Sequence, residues 1–339
     1  MTVLVTGASG FLGSHVTELL VARGTRPRVL ARPGEPLPGT PCDGALDVHW
    51  ADLTDRAALE AAVEGIDRII HCAARTGPWG PQAEYWRTNV RGLETLVEVA
   101  LAAGVRRIVH VSSITVHGND VRGTADEHAP FRAEPNPYSR SKVAGEQLLE
   151  RMIREQGAPV TIVRPGWIYG PRDTASFARL AGVIRTGRMI MMGSGKNHLP
   201  LIYVGDAAEG ILLASEADRA TGGAYLLVND EPVTQRDFVG AIARELDVRR
   251  PTRRIPYRLG VMLGTVAEAG ARLAHSRQPP PVMRYGLQLL GGENRFSIGR
   301  ARRDLGFSPR VDLAEGIRRS VEWYRATHGV AGAQNGQAR

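Results

Sequence analysis

A tyrosine and a lysine, Tyr138 and Lys142, stand four residues apart at the start of a predicted long helix that runs through Glu155. On a helix this spacing places both side chains on one face. A phenol with a pKa near 10 exchanges its proton poorly at neutral pH unless a nearby cation stabilises the phenolate. Lys142 and Lys196 are the only lysines in a chain rich in arginine. The pair therefore indicates proton transfer, with Lys142 lowering the pKa of Tyr138.

Two serines, Ser112 and Ser113, follow the predicted strand Arg107–Ser112. The carboxyl ends of parallel strands are where open α/β sheets bind ligands. A hydroxyl there could hold and polarise a substrate carbonyl beside the Tyr138 proton. The alternative is that both serines only cap the end of the strand.

Three glycines, Gly7, Gly10 and Gly13, follow the first predicted strand, Val3–Thr6, and precede a predicted helix over Ser14–Arg23. The pattern G-x-x-G-x-x-G between a strand and a helix favours a tight turn that brings a pyrophosphate onto the helix amides. A purely structural glycine loop is the alternative. The residues predicted to contact a dinucleotide here are Gly7, Ser9, Gly10, Phe11, Leu12 and Gly13.

The second predicted strand, Arg28–Ala31, should end near the 2′ position of the adenine ribose. An acidic residue there would favour NAD, but the strand is followed by Arg32, whose guanidinium could pair with a 2′-phosphate. Arg28 is a second candidate. The sequence therefore favours NADP(H), with NAD(H) possible, although in an arginine-rich chain Arg32 could stand there by chance.

Short apolar runs alternate with helical patterns through the first two hundred residues, which predicts an α/β fold with a Rossmann-type, doubly wound parallel sheet. A smaller C-terminal substrate-binding domain should follow. We expect a dinucleotide-binding domain over residues 1–172, a mainly substrate-binding region over 173–328 with some return to the sheet, and a flexible tail over 329–339. The apolar segment Tyr257–Ala274 suits a lid over a hydrophobic substrate or part of the core. The predicted strands of the sheet are Val3–Thr6, Arg28–Ala31, Val48–Asp52, Arg68–Cys72, Arg107–Ser112 and Val160–Arg164.

The formal net charge is +8 over 339 residues, and it is unevenly distributed, with a net −3 in residues 1–150 and +11 in residues 151–339. Scattered arginines are typical of solvated faces, so we expect no nucleic-acid partner. Cys42 and Cys72 stand in no metal-ligand or disulfide pattern, which favours a reducing cytoplasm and no metal. A signal peptide and an apolar run of the length of a membrane span are both missing, so no integral membrane association is expected. Contact with a membrane surface stays open.

Together these motifs resemble the extended short-chain dehydrogenase/reductase superfamily over nearly the whole chain. In that family the catalytic serine precedes a Val-Tyr-Gly-like turn, which Val116-His117-Gly118 matches, so the resemblance favours Ser113, with Ser112 as the fallback. The motifs that carry the resemblance are Thr6-Gly7-x-x-Gly10-x-x-Gly13, Ser113, Tyr138-x-x-x-Lys142 and Arg164-Pro165-Gly166-Trp167-Ile168-Tyr169-Gly170-Pro171.

The resemblance implies further roles. Asp52 and Leu53 match an adenine-contacting pair, and Ala73 matches backbone that passes under the cofactor ribose. Asn89 matches an asparagine tied to the lysine and a proton relay, and Pro165 matches a segment beside the nicotinamide. From the residues alone, Asp52 is a turn former and Asn89 a polar helix residue.

The resemblance is nearest to the 3β-hydroxysteroid dehydrogenase-like branch and to 2-alkyl-3-oxoalkanoate reductases, through Ala73–Gly80 and Asn229–Val233. Ile114-Thr115 stands after Ser113 where dehydratases carry an Asp-Glu pair. These features imply a homodimeric NAD(P)-dependent ketoreductase or hydroxy dehydrogenase with a small, apolar, polyketide-like or steroid-like substrate. The alternatives are a nucleotide-sugar 4-epimerase or related enzyme with tightly bound NAD, and a non-catalytic NADP-binding sensor.

Overall fold

The computed structural model describes residues 2–38, 44–121 and 123–329. Within these residues, seven parallel strands form one sheet in the order β12-β7-β5-β4-β1-β2-β3. The predicted α/β fold with a doubly wound parallel sheet is confirmed. The strands of this sheet are β1 Val3–Thr6, β2 Arg28–Ala31, β3 Asp47–Trp50, β4 Arg68–His71, β5 Arg107–Val111, β7 Val160–Pro165 and β12 Ala224–Leu227.

The strands are buried because helices cover both faces of the sheet. All four residues of β1 are buried, and Val5 pairs with Val29 on one side and Ile70 on the other. The third strand ends at Trp50, two residues earlier than predicted. The reason is that the Asp52 carboxylate accepts hydrogen bonds from the backbone N–H and hydroxyl of Thr54, at 2.9 and 2.7 Å, and turns the chain.

The helices form two layers around the sheet. On one face α1 packs against α7, and on the other α2, α4 and α5 share a second apolar core. A π-helical turn, Arg87–Arg91, joins α3 to α4. The helices are α1 Phe11–Ala22, α2 Arg56–Val63, α3 Gln82–Trp86, α4 Gly92–Ala102, α5 Pro137–Gln156, α6 Phe177–Arg185, α7 Val204–Glu216, α8 Gln235–Glu245, α9 Tyr257–Leu273, α10 Arg284–Gly291, α11 Gly299–Leu305 and α12 Leu313–His328.

Beyond β7 the chain adds a smaller layer of short strands and helices at the carboxyl edge of the sheet. A third apolar core, centred on Tyr169, Phe177 and Phe238, joins α6, α8 and α12. The chain also returns to the main sheet, because β12 pairs with β7. The division at residue 172 stays a prediction, and both Cys42 and residues 330–339 of the predicted tail lie outside the described residues. The short strands are β6 Thr124–Ala125, β8 Trp167–Tyr169, β9 Met191–Met192, β10 His198–Leu199, β11 Leu201–Tyr203, β13 Val233–Thr234, β14 Arg254–Ile255 and β15 Arg295–Phe296.

Helix α9 differs from one of the two expectations for its segment, that it is part of the core. Its buried residues are Gly260, Gly264 and Glu268, whereas its large apolar side chains point to solvent. Gly264 packs against α10 and Gly260 against Met192 of β9, so the exposed apolar side chains of α9 belong to no core cluster of the described residues, and the lid stays a prediction. In the part of the chain that the structure describes, no helix combines the length and the apolar character needed to cross a membrane.

Candidate active site

Helix α5 presents three functional groups, Tyr138, Lys142 and Glu146, at intervals of four residues on the face that packs toward the sheet. The helix begins where the Asn136 side chain accepts a hydrogen bond from the Ser139 N–H at 2.8 Å, and Pro137 occupies its first turn. Tyr138 is partly buried, and Lys142 and Glu146 are buried. The predicted Tyr–Lys face is therefore extended inward by a carboxylate.

The Lys142 ammonium is held inside the protein. Its Nζ donates to the Val111 carbonyl at 2.8 Å and lies 6.0 Å from the centre of the Tyr138 ring. Burial lowers the pKa of Lys142 to about 8, and the nearby Glu146 carboxylate opposes that shift. At neutral pH the buried side chain therefore still carries its positive charge.

The groups around Lys142 carry no competing charge at neutral pH. His71 and His110 stack with ring centres 5.3 Å apart, and burial, with the Lys142 charge, lowers the pKa of His71 to about 3 and that of His110 well below its usual value. Burial also raises the pKa of the Cys72 thiol to about 12. Lys142 consequently lies among neutral groups, with the Glu146 carboxylate one helical turn behind it.

The pKa of Tyr138 moves in the direction opposite to the sequence expectation. Burial raises the pKa and the neighbouring Tyr285 adds to the rise, while the nearby Ser113 hydroxyl acts to lower it. Burial outweighs the expected lowering by Lys142, whose Nζ is bonded to the Val111 carbonyl and lies 6.0 Å from the centre of the ring. In this structure Tyr138 is a neutral phenol that keeps its proton well above neutral pH.

The two candidate serines have different surroundings. Ser112 is buried, and its hydroxyl donates to Glu146, whose carboxylate is also bound by Arg164 through Nη2 at 2.6 Å and Nε at 3.0 Å. Ser113 is partly exposed, its Oγ accepts the Thr115 N–H at 3.2 Å, and its hydroxyl is close enough to Tyr138 to act on the pKa of the phenol. The structure therefore brings Ser113 to the tyrosine and places Ser112 in a buried ionic network behind the lysine.

Asn89 lies in the π-helical turn Arg87–Arg91 and is buried. Its Oδ1 accepts the Arg75 N–H at 2.7 Å, and its Nδ2 donates to the Arg75 carbonyl and the Ser141 hydroxyl, both at 2.9 Å. These bonds tie α5 to the loop after β4. Among the described residues Asn89 has no hydrogen bond to Lys142, so the implied link to the lysine is not formed directly.

The glycine loop has the shape of a phosphate cradle. Gly7 has φ +75°, and a Cβ there would lie 2.7 Å from the Ala73 backbone nitrogen, while a Cβ at Gly13 would lie 2.1 Å from the Gly7 oxygen. Gly10 caps α1 without a side chain, which leaves the amides of the first turn available to an anion. The loop lies between β4 and β2, where the strand order reverses, so the residues present fit a bound pyrophosphate.

The adenine side of the cradle contains an acid that sequence reasoning missed. The turn at Pro33-Gly34 brings Glu35 back to the loop, where it forms an ion pair with Arg32 and accepts the Ser9 hydroxyl at 2.6 Å. Burial acts to raise the pKa of Glu35, but the bonds from Ser9 and Arg32 outweigh it and hold the pKa low. The signal in the sequence was Gly34, which favours a turn after Arg32 and has φ +80° in the structure.

Arg28 does not reach this edge. It is the first residue of β2, at the opposite end of the strand from Arg32, and its Nε donates to Asp47 at 2.7 Å while its Nη1 donates to the Glu64 carbonyl at 2.8 Å. As a second candidate for a 2′-phosphate, Arg28 is wrong.

The remaining predicted positions lie along the same edge. The Asp52 carboxylate accepts the hydrogen bonds of the Thr54 turn, as the residues alone suggested. The buried Leu53 packs against Gly92. Pro165 ends β7 beside Leu227. In the described residues no cluster of His, Cys, Asp and Glu has the arrangement of a metal site.

The chain is similar in sequence to one family of enzymes and to several characterised reductases. Residues 3–227 match the model of the NAD dependent epimerase/dehydratase family. The chain is 32% identical over 329 residues to a 2-alkyl-3-oxoalkanoate reductase of Stenotrophomonas maltophilia, covering 94% of this chain and 98% of the relative. It is also 32% identical over 321 residues to a 4-hydroxy-2-methyl-3-oxo-4-farnesyl-3,4-dihydroquinoline-1-oxide ketoreductase of Stigmatella aurantiaca, covering 94% and 95% of the two chains.

Among solved structures, the chain is similar to a dTDP-glucose 4,6-dehydratase from Streptomyces venezuelae with NAD and TYD bound. The TM-score is 0.79 at 26% identity, and the match covers 97% of this chain and 98% of the other. The likeness extends over the sheet and the smaller C-terminal layer together.

The buried charge of Lys142 makes a prediction about stability. The folded pKa of about 8 lies below the usual 10.5, so between these pH values the unfolded chain binds more protons than the folded one. The free energy of unfolding of the wild type should therefore rise by about 2 kcal/mol relative to Lys142→Met between about pH 7 and 9.5. Urea unfolding of both proteins at the two pH values measures it, and a constant difference would contradict it.

Proposed function

The chain belongs to the NAD dependent epimerase/dehydratase family, and from that premise we propose that it is an NADP(H)-preferring ketoreductase acting on a small apolar substrate. The observation that carries the proposal is the triad of Ser113, a protonated Tyr138 and a charged Lys142 at the carboxyl edge of the sheet. Membership of the family supports the coarser statement that the protein is an NAD(P)-dependent oxidoreductase of the extended short-chain type.

Gly7, Gly10 and the first amides of α1 would hold the cofactor pyrophosphate, and Ala73 and Pro165 would line the path of the ribose and nicotinamide. When bound there, a reduced nicotinamide supplies the hydride for the carbonyl carbon. Ser113 donates a hydrogen bond to the carbonyl oxygen and fixes its position beside Tyr138. Tyr138 transfers its phenolic proton to that oxygen, which becomes the product hydroxyl. The Lys142 ammonium stabilises the phenolate left behind until solvent returns the proton.

An apolar substrate is supported by the names of the relatives. The relatives act on 2-alkyl-3-oxoalkanoates and on a farnesylated quinoline oxide. Ile114 and Thr115 follow Ser113 and are buried, so the Asp-Glu pair of a dehydratase has no counterpart there. The cavity of about 240 Å³ beside the first turn of α5 would lie on the substrate side, and its lining includes the polar side chains of Asn136, Arg140 and Arg272. We take the homodimer as part of the proposal, since the family resemblance implies it.

Replacement of Tyr138 by Phe removes the proton donor and should lower turnover about 10² to 10⁴-fold, with unchanged NADPH affinity. The assay is NADPH consumption with a panel of ketones that runs from 2-alkyl-3-oxoalkanoates and steroids to nucleotide sugars. Turnover within a few-fold of the wild type would contradict the assignment. Tightly bound NAD with no net cofactor consumption on any ketone would instead support the epimerase alternative.

The two serines give a matched pair of variants. Ser113→Ala should lower kcat about a hundredfold with little loss of stability, since it removes a bond made to the reacting oxygen. Ser112→Ala should keep kcat within a few-fold but lower the free energy of unfolding by about 1 to 3 kcal/mol, because Glu146 loses a buried partner. The reverse pattern of rate and stability would overturn the choice of Ser113.

The proposed preference for NADP(H) depends on whether Arg32 pairs with a 2′-phosphate or stays paired with Glu35. Arg32→Ala should weaken NADPH binding about tenfold or more and leave NADH binding nearly unchanged. Glu35→Gln should strengthen NADPH binding, because the carboxylate occupies Arg32 and Ser9 in place of a 2′-phosphate. Fluorescence titration of both cofactors measures the effect, and equal losses for NADPH and NADH would exclude Arg32 as the 2′-phosphate partner.

A further inference from the structure

Helix α9 exposes a continuous apolar stripe, which we call the α9 outer face. Its members recur at the three- and four-residue intervals of one helical face and make this helix the largest concentration of exposed apolar side chains in the described residues. The α9 outer face consists of Leu259 (41% exposed), Met262 (53%), Leu263 (48%), Val266 (64%) and Leu273 (82%).

The inner side of α9 fixes this orientation. A Cβ at Gly264 would lie 2.8 Å from the Leu287 side chain and 3.0 Å from the Arg284 backbone nitrogen, so glycine at this position allows α9 to pack closely on α10. Glu268, on the same inner side, accepts the Arg284 N–H at 2.7 Å. The helix therefore cannot roll its large side chains inward without bringing them into a contact built for glycine.

The charge around the stripe is strongly one-sided. Residues 249–284 contain eight arginines and one acid, Glu268, which is buried, so the segment has a formal net charge of +7. Two of these arginines are paired with carboxylates, Arg272 with Glu268 and Arg284 with Glu134. Arg258 is exposed on α9 and Arg277 is exposed just beyond its end, whereas Arg272 packs over Trp79 on the substrate side. An apolar face bordered by arginines without exposed acids is typical of a helix that lies in a membrane interface.

We propose that the α9 outer face docks the protein on the surface of an anionic phospholipid membrane. The aliphatic side chains would enter the boundary between headgroups and acyl chains, and the arginines would pair with lipid phosphates. A second copy of the chain fits poorly, because a symmetric contact would bring two +7 segments against each other. Nucleic acid would pair with the arginines but would leave the aliphatic stripe in water.

The proposal goes beyond the catalytic function and does not depend on it. Docking involves the outside of α9, whereas the Tyr138 site lies beneath α10, whose Tyr285 is close enough to raise the pKa of Tyr138. Membrane binding can therefore be tested without a substrate, and its failure would leave the catalytic proposal unaffected.

The test is sedimentation of the full chain with vesicles of phosphatidylcholine alone and of phosphatidylcholine with about 30% phosphatidylglycerol. We expect binding to the anionic vesicles at least tenfold stronger than to the neutral ones, weakening as salt is raised. Leu263→Asp with Val266→Asp should reduce binding at least tenfold, and Arg258→Glu with Arg277→Glu should do the same. Val183→Asp on α6 (40% exposed) and Arg154→Glu on α5 are the matched controls and should bind as the wild type does.

Three outcomes would overturn the proposal. The first is no binding of the wild type to anionic vesicles at low salt. The second is binding by the Leu263 and Val266 double variant at the level of its Val183 control, with circular dichroism showing that both variants are folded. The third is a wild-type oligomer that becomes a monomer in the double variant, which would assign the α9 outer face to a second copy of the chain.

Discussion

The interior position of the Lys142 ammonium is the constraint on which the rest of the site depends. A cation removed from water is costly unless groups of the protein replace its hydration. Here the Val111 carbonyl accepts a hydrogen bond from Nζ at 2.8 Å, and Glu146 balances the charge one turn along α5. Glu146 in turn is held by the buried Arg164 and by Ser112. This network anchors α5 to the ends of β5 and β7 and so determines where Tyr138 lies relative to Ser113.

The strand order explains why the cofactor cradle and the proton donor share one edge. β1 lies between β2 and β4, so the chain after β1 leaves the sheet where the order reverses and α1 points its free amides into the gap. Gly7 contacts the Ala73 backbone across that gap. Ser113 follows β5, which is the second strand from β1 in the sheet. The sheet thereby places the free amides at the start of α1 and the Tyr138 phenol along one continuous edge.

Local patterns predicted the elements well, because apolar strands and the i, i+4 spacing of Tyr138 and Lys142 depend on backbone geometry that residue types specify. Longer-range features were not predictable. Glu35 reaches Ser9 only through the turn at Pro33-Gly34, Arg28 is removed from the site by its place at the start of β2, and the direction of the Tyr138 pKa depends on burial. The outward face of α9 likewise follows from glycine contacts with Leu287 and Met192, which no periodicity in α9 alone reveals.

The central claim is that a neutral Tyr138 gives the proton while a charged Lys142 stabilises the phenolate. The pH dependence of kcat/KM for ketone reduction tests it most directly, because this quantity follows the ionisation of the free enzyme. The account predicts a constant rate through neutral pH and a decline only as pH rises through about 8, where Lys142 loses its charge. A decline with an apparent pKa below about 7, the mark of a tyrosine already ionised at neutral pH, would contradict it.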